Sequence, residues 1–109
     1  MRSTALRDCK LELSSWRFTR FDAVAFDECN LTGADFTSAD LRGASFTRCR
    51  LTGAQFSKAE MQGARLRTCE LDGIGGITSF SGAVVHRDDL IELADTLAGA
   101  LGIVIEGDE

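Results

Sequence analysis

The stretch CNLTGADFTSADLRGASFTRC, residues 29–49, carries its large apolar side chains at Leu31, Phe36, Leu41 and Phe46, one every five residues. The same spacing runs outward in both directions. Upstream it lands on Leu6, Leu11, Trp16, Phe21 and Phe26, and downstream on Leu51, Phe56, Met61, Leu66 and Leu71. Two residues before each of these 14 centres stands a small uncharged residue, and the positions between are mostly polar.

Neither common secondary structure repeats at five. On a helix each step would rotate about 140° net, so the centres would wander around the axis. On a flat strand an odd step reverses the face each time. A chain that turns a corner every five residues brings all the centres to one interior. Four corners close a coil of about 20 residues, and stacked coils pair at the roughly 4.8 Å spacing of strands. The result is a solenoid in which each coil is supported mainly by its neighbours. The cysteines follow the same number: Cys9, Cys29, Cys49 and Cys69 are 20 apart, all in the small-residue slot. Gly33, Gly43, Gly53, Gly63 and Gly73 recur every ten, at the corner after alternate centres, where a positive-φ turn favours glycine.

The units ADFTS, ADLRG, ASFTR, AQFSK and CNLTG resemble those of the pentapeptide-repeat family, which read small–Asp/Asn–Leu/Phe–polar–Gly. The resemblance covers about residues 4–73. Residues 4–23 depart from it: Thr4, Ser14 and Thr19 replace Ala, Trp16 is large for a centre, and no corner there is Gly. It implies an all-β solenoid, a right-handed quadrilateral β-helix of about four coils. The expected organisation is a solenoid over residues 1–85, with an irregular first coil at 1–23 and a one-residue frame slip near 73–76. Phe80 and Val85 would finish the fourth coil. Residues 86–109 would form a C-terminal capping helix and tail.

That helix is read from Leu90, Leu93, Ala94, Leu97, Ala98 and Leu101, which follow helical spacing. Asp88, Asp89 and Glu92 suit its first turns and Gly102 its end. Ile91 widens the apolar sector beyond that of an ordinary surface helix. IVI at 103–105 reads as a short buried strand or an apolar lock. A last coil exposes hydrophobic core and unpaired backbone groups, and a helix laid across it hides both. The resemblance implies such a cap, and in some members a dimer joined there. Leu90, Ile91, Leu93, Leu97 and Leu101 are therefore the cap and a candidate dimer face. At the other end Leu13 and Phe18 fill slots that are polar or Gly in later coils, so they should point outward. They mark a contact surface, including a homodimer through the first coil, or a chain that is a piece of a longer solenoid, or local irregularity at a chain end.

Catalytic and ligand-binding readings find little support. No C-x-x-C is present, and a ladder of four cysteines spans roughly 14 Å, too far for four thiolates to surround one zinc. Parallel inward side chains and a reducing compartment oppose disulfides, which leaves the cysteines as small buried hydrophobes. His86 could be imagined with Ser79 or Ser81 and Asp88 or Asp89, but no G-x-S-x-G frames either serine. GIGG lacks the lysine of a phosphate loop. The expectation is no enzyme, no cofactor and no metal. With the aromatics consumed by the core, no stacking surface for nucleic acid is left. No apolar run approaches the roughly 20 residues of a membrane span, and the start has no signal-like apolar region, so the expected location is cytoplasmic.

Net charge is −5, unevenly placed: residues 1–73 hold 11 basic and 10 acidic side chains, and residues 74–109 hold one and seven. The function expected is a non-enzymatic structural or protein–protein interaction module whose protein partner the sequence does not name. For some members the resemblance implies another activity, inhibition or protection of DNA gyrase by imitating duplex DNA. That needs a long, strongly negative rod, whereas four coils span about 19 Å and residues 1–73 are at +1.

Overall fold

A computed structural model describes residues 3–106. Met1, Arg2 and the tail at 107–109 lie outside the described residues. One side of the solenoid is a parallel five-stranded sheet in the order β1-β2-β3-β4-β5. Its strands are β1 (Ala5–Arg7), β2 (Val24–Asp27), β3 (Ala44–Thr47), β4 (Arg65–Arg67) and β5 (Val84–Val85). Three further sides are ladders of single parallel bridges: Lys10, Asn30, Arg50 and Glu70; Ser15, Asp35, Gln55 and Gly75; Arg20, Asp40 and Glu60. Four ladders make four sides, and the coils are stacked in a register of 20, with Leu6 beside Phe26 and Phe26 beside Phe46.

The corners are hydrogen-bonded turns. The carbonyl of a centre accepts from the N–H three residues on, as Leu31 does from Ala34 and Phe36 from Ala39. The corner residue has positive φ at Gly33, Gly53, Gly63 and Gly73, but also at Ser38 and Lys58. Gly43 departs from the positive-φ role expected of it, because its φ is not positive. A Cβ there would stand 2.7 Å from the backbone N of Ala23, so glycine serves close approach of two coils instead.

The centres from Phe21 to Leu71 are at most 1% exposed, and the small residues from Val24 to Cys69 are buried beside them. Leu6, Leu11 and Trp16 of the first coil are partly buried and pack against this core. Aromatic rings stack up the columns. Phe26 lies parallel to Phe46 at 4.9 Å, and Phe36 to Phe56 at 5.3 Å. Trp16 extends the second column over Phe36. Its indole N–H would be orphaned in such a core, and Ser14 Oγ accepts it at 2.7 Å while donating to the Leu11 carbonyl. The serine that departs from the repeat pattern is thus the partner of the tryptophan that also departs from it.

The register changes near the far end. Gln55 pairs with Gly75 at 20, whereas Leu66 pairs with Val85 at 19. The missing residue therefore falls after Gly75, in the segment holding a 3-10 turn at Ile77–Phe80, and not at Gly73 or Gly75. Gly76 stands where a centre would be due. A Cβ on it would lie 2.5 Å from Ser57 N and 2.6 Å from Phe56 C, so the next coil bends inward there and Ile77 is buried in its place. A second 3-10 turn, Arg87–Asp89, leads into helix α1 (Leu90–Leu101), which ends at Gly102 in the left-handed conformation. The Ile103 N–H returns to the Ala98 carbonyl at 2.7 Å.

Two expectations about this end are corrected. Ile103, Val104 and Ile105 are exposed and form no strand, because the chain leaves the helix away from the core. Within α1 Leu93 is buried in the core, Ala98 is buried as well and Leu97 packs partly against the core, while Leu90, Ile91 and Leu101 stay in solvent. One solenoid end covers only one side of a helix, so the wide apolar sector is only half used.

Candidate functional site

One surface depression, about 570 Å³, is a shallow trough over Glu28, Asn30, Arg48, Arg50, Thr68 and Glu70. Its charges already answer one another: Arg50 Nε donates to Glu70 at 2.6 Å, and Arg48 holds Asp27 through two contacts of 2.8 and 3.0 Å. Among the described residues no group of His, Cys, Asp and Glu is placed to hold a metal ion. His86 Nδ1 accepts the Asp88 N–H at the start of the second 3-10 turn. It acts as a backbone cap, and no hydroxyl of Ser79 or Ser81 is among its hydrogen-bond partners.

All four cysteines are free thiols, three of them buried and Cys9 partly so. Each upper thiol donates to a carbonyl of the coil before it: Cys29 to Leu6, Cys49 to Phe26 and Cys69 to Phe46, at 3.2–3.3 Å. Burial pushes the Cys49 thiol up to about 12 and the Cys69 thiol to about 11, which removes the thiolate that reactivity or metal binding needs.

Three successive faces of one coil carry the same polar device, at Asn30, Asp35 and Asp40. The Asp or Asn before a centre accepts from the residue after it. Asn30 Oδ1 takes the Thr32 N–H and hydroxyl, and Asp35 does the same with Thr37. The Thr37 hydroxyl and N–H hold the Asp35 carboxyl below its ordinary range. Arg42, paired with both Asp40 oxygens at 2.8–2.9 Å, does so for Asp40. These contacts hold the side chains against the coil and pair part of the surface charge within the molecule.

The ends differ from the faces. Leu13 and Phe18 sit at two successive corners of the first coil, 81% and 74% exposed. Both have positive φ, 58° and 61°, a conformation that bulky side chains rarely adopt. Later coils put Gly33, Gly53 and Gly73 at the corner of Leu13, and Ser38 and Lys58 at that of Phe18. Leu13 leans over the bare Gly33, and the Arg17 guanidinium lies 5.8 Å from the Phe18 ring centre. Two large apolar side chains in solvent, where later coils place Gly, Ser or Lys, mark this corner pair as a candidate contact surface.

At the opposite end the cap does chemical work that the sequence pattern did not disclose. In each lower coil the leucine N–H donates to a carbonyl of the next coil: Leu11 to Asn30, Leu31 to Arg50, Leu51 to Glu70. For Leu71 the Glu92 carboxylate takes that place at 3.4 Å, and buried Asp89 accepts the Cys69 N–H at 3.2 Å. Both acids fit a helix-start pattern from sequence. Only the packing shows that they satisfy the coil and not the helix.

A family model described as a pentapeptide repeat region matches residues 1–75. No curated protein matches the chain. Among solved structures, a pentapeptide repeat protein from the thylakoid lumen of Arabidopsis thaliana is 29% identical with a TM-score of 0.59, over 86% of this chain and 77% of that one. One from the cyanobacterium Cyanothece 51142 is 23% identical with a TM-score of 0.37, over 76% and 63%. QnrB1, a plasmid-mediated fluoroquinolone resistance protein, is 21% identical with a TM-score of 0.27, over 94% and 70%. At those scores the last two carry no argument.

Proposed function

The chain belongs to the pentapeptide-repeat family, and from that premise we propose that it is a non-catalytic scaffold for protein–protein contact, resident in a reducing compartment such as the cytoplasm. What supports the reading is the division of labour in the molecule. Many charges of the faces pair with one another, while large apolar side chains are left in solvent at the two ends, Leu13 and Phe18 at one and Ile91, Leu101 and Val104 at the other. The exposure of two bulky apolar side chains, Leu13 and Phe18, at corners where later coils place Gly, Ser or Lys is the observation that carries it. Free buried thiols suit a reducing location. The candidate self-contacts are the first coil and the face of α1 that its own solenoid leaves bare.

Light scattering on the wild type and on Leu13→Ser with Phe18→Ser tests this reading. The expected result is a mass that falls towards one chain in the double variant. A wild type that stays at one chain, and binds no protein partner on cross-linking, overturns it. Gyrase binding by duplex mimicry is ranked lower because residues 1–73 balance to +1. Inhibition or protection of gyrase at low protein concentration would reverse that ranking.

A further inference from the structure

The two ends of the molecule differ in charge as well as in shape. The first coil, residues 3–22, carries Arg7, Lys10, Arg17 and Arg20 against Asp8, Glu12 and Asp22, with Arg17 and Arg20 lying 3.9 and 4.0 Å from Asp35 and Asp40 of the next coil. Residues 86–106 carry Asp88, Asp89, Glu92, Asp95 and Glu106 against Arg87. The basic end shows part of the core, because Leu6, Leu11 and Trp16 are only half-buried where their counterparts above are sealed. It also presents a β edge. The N–H groups of Asn30 and Asp35 donate down to Cys9 and Ser14, while those of Lys10 and Ser15 face no coil among the described residues. The acidic end presents a helix with one apolar side spent on its own solenoid and the other unspent.

We propose that a second copy of this chain docks head to tail, its α1 seated on the open first coil. Three observations select this arrangement over others. An acidic cap meets a first coil that is net positive, four basic side chains against three acidic, whereas two caps would bring like charges together. The helix already seats one apolar side on a solenoid end of the same square section, so a second such end fits its other side, at Ile91 and Leu101. Finally, the carboxylate device of Asp89 and Glu92, which accepts N–H groups from a terminal coil, is available again. Asp95 and Glu106 are further exposed acids of this end, and Lys10 and Ser15 would be the donors. Such a contact joins two different surfaces, so it does not close and generates an open series of copies. The inference rests on reading the chain as an interaction scaffold and names its partner.

Sedimentation equilibrium across a concentration series tests it. The expected result is a weight-average mass that climbs beyond two 11.8 kDa chains without a plateau, and that falls as salt screens the charges. Arg7→Glu with Lys10→Glu, and separately Asp95→Lys with Glu106→Lys, should each weaken association about tenfold or more. Mixing the two charge-reversed proteins should restore it. Circular dichroism melts confirm that each variant is folded, and Ile91→Asp gives an independent loss that leaves the rim charges other than its own intact. A mass that levels at two chains, or charge-reversed proteins that fail to recombine, overturns head-to-tail docking. A monomeric wild type that still captures a different protein overturns it too, yet leaves the scaffold reading standing.

Discussion

Gly76→Ala probes the one place where the solenoid departs from its own register. The added Cβ would sit 2.5 Å from Ser57 N and 2.6 Å from Phe56 C, both backbone atoms of a paired coil that cannot swing aside, and φ at Gly76 is 76°. Gly53 provides the control, with φ 71° and nothing within 4 Å of the added atom. Gly53→Ala therefore measures the left-handed penalty, about 1–2 kcal/mol, less the entropy gained by restricting the unfolded chain, about 0.4–1 kcal/mol. Its net cost is about 1 kcal/mol. Gly76→Ala adds the displacement of one coil against another, about 1–3 kcal/mol, for a total of about 2–4 kcal/mol. For a chain of this size each kcal/mol lowers Tm by about 4–8 °C. Thermal melts followed by circular dichroism should then show Gly76→Ala losing at least twice as many degrees as Gly53→Ala. Equal losses for the two variants would refute the claim that close approach, and not φ, requires glycine at 76.

Three further outcomes follow from the packing. Ser14→Ala should cost about 1 kcal/mol because it strands the Trp16 indole N–H, and the same change in a Trp16→Phe background should cost almost nothing; urea titration of the four proteins gives the coupling. Asp89→Ala should cost about 1–3 kcal/mol by leaving the Cys69 N–H unsatisfied, seen as faster amide exchange at Cys69 and Leu71 before any change in the first coil. Cys49 and Cys69 hold their protons more tightly in the folded state than the ordinary thiol at 9.0 does, so their contribution is complete below about pH 9 and is lost as pH rises towards 11–12. The loss is about 1.4 kcal/mol per pH unit per thiol, and Cys49→Ala with Cys69→Ala should flatten the alkaline limb of Tm against pH.

The five-residue period by itself determined the solenoid. Every unit says the same thing locally, so a single short stretch around Phe36 determines the coil, and fourteen repetitions remove the alternatives. The ends were decided only in three dimensions. Nothing in the pattern distinguishes Asp89 and Glu92 as helix-dipole acids from Asp89 and Glu92 as substitutes for the carbonyls of a missing coil, because that depends on which N–H groups the last coil leaves facing them. The role of Gly43, the point at which one residue drops out, and the exposure of Ile103 to Ile105 likewise depend on what lies one coil away. A periodic sequence specifies the interior of a stack, where each coil has the same two neighbours. Where a neighbour is absent, the chain must satisfy its backbone and cover its core by contacts that no repeat encodes.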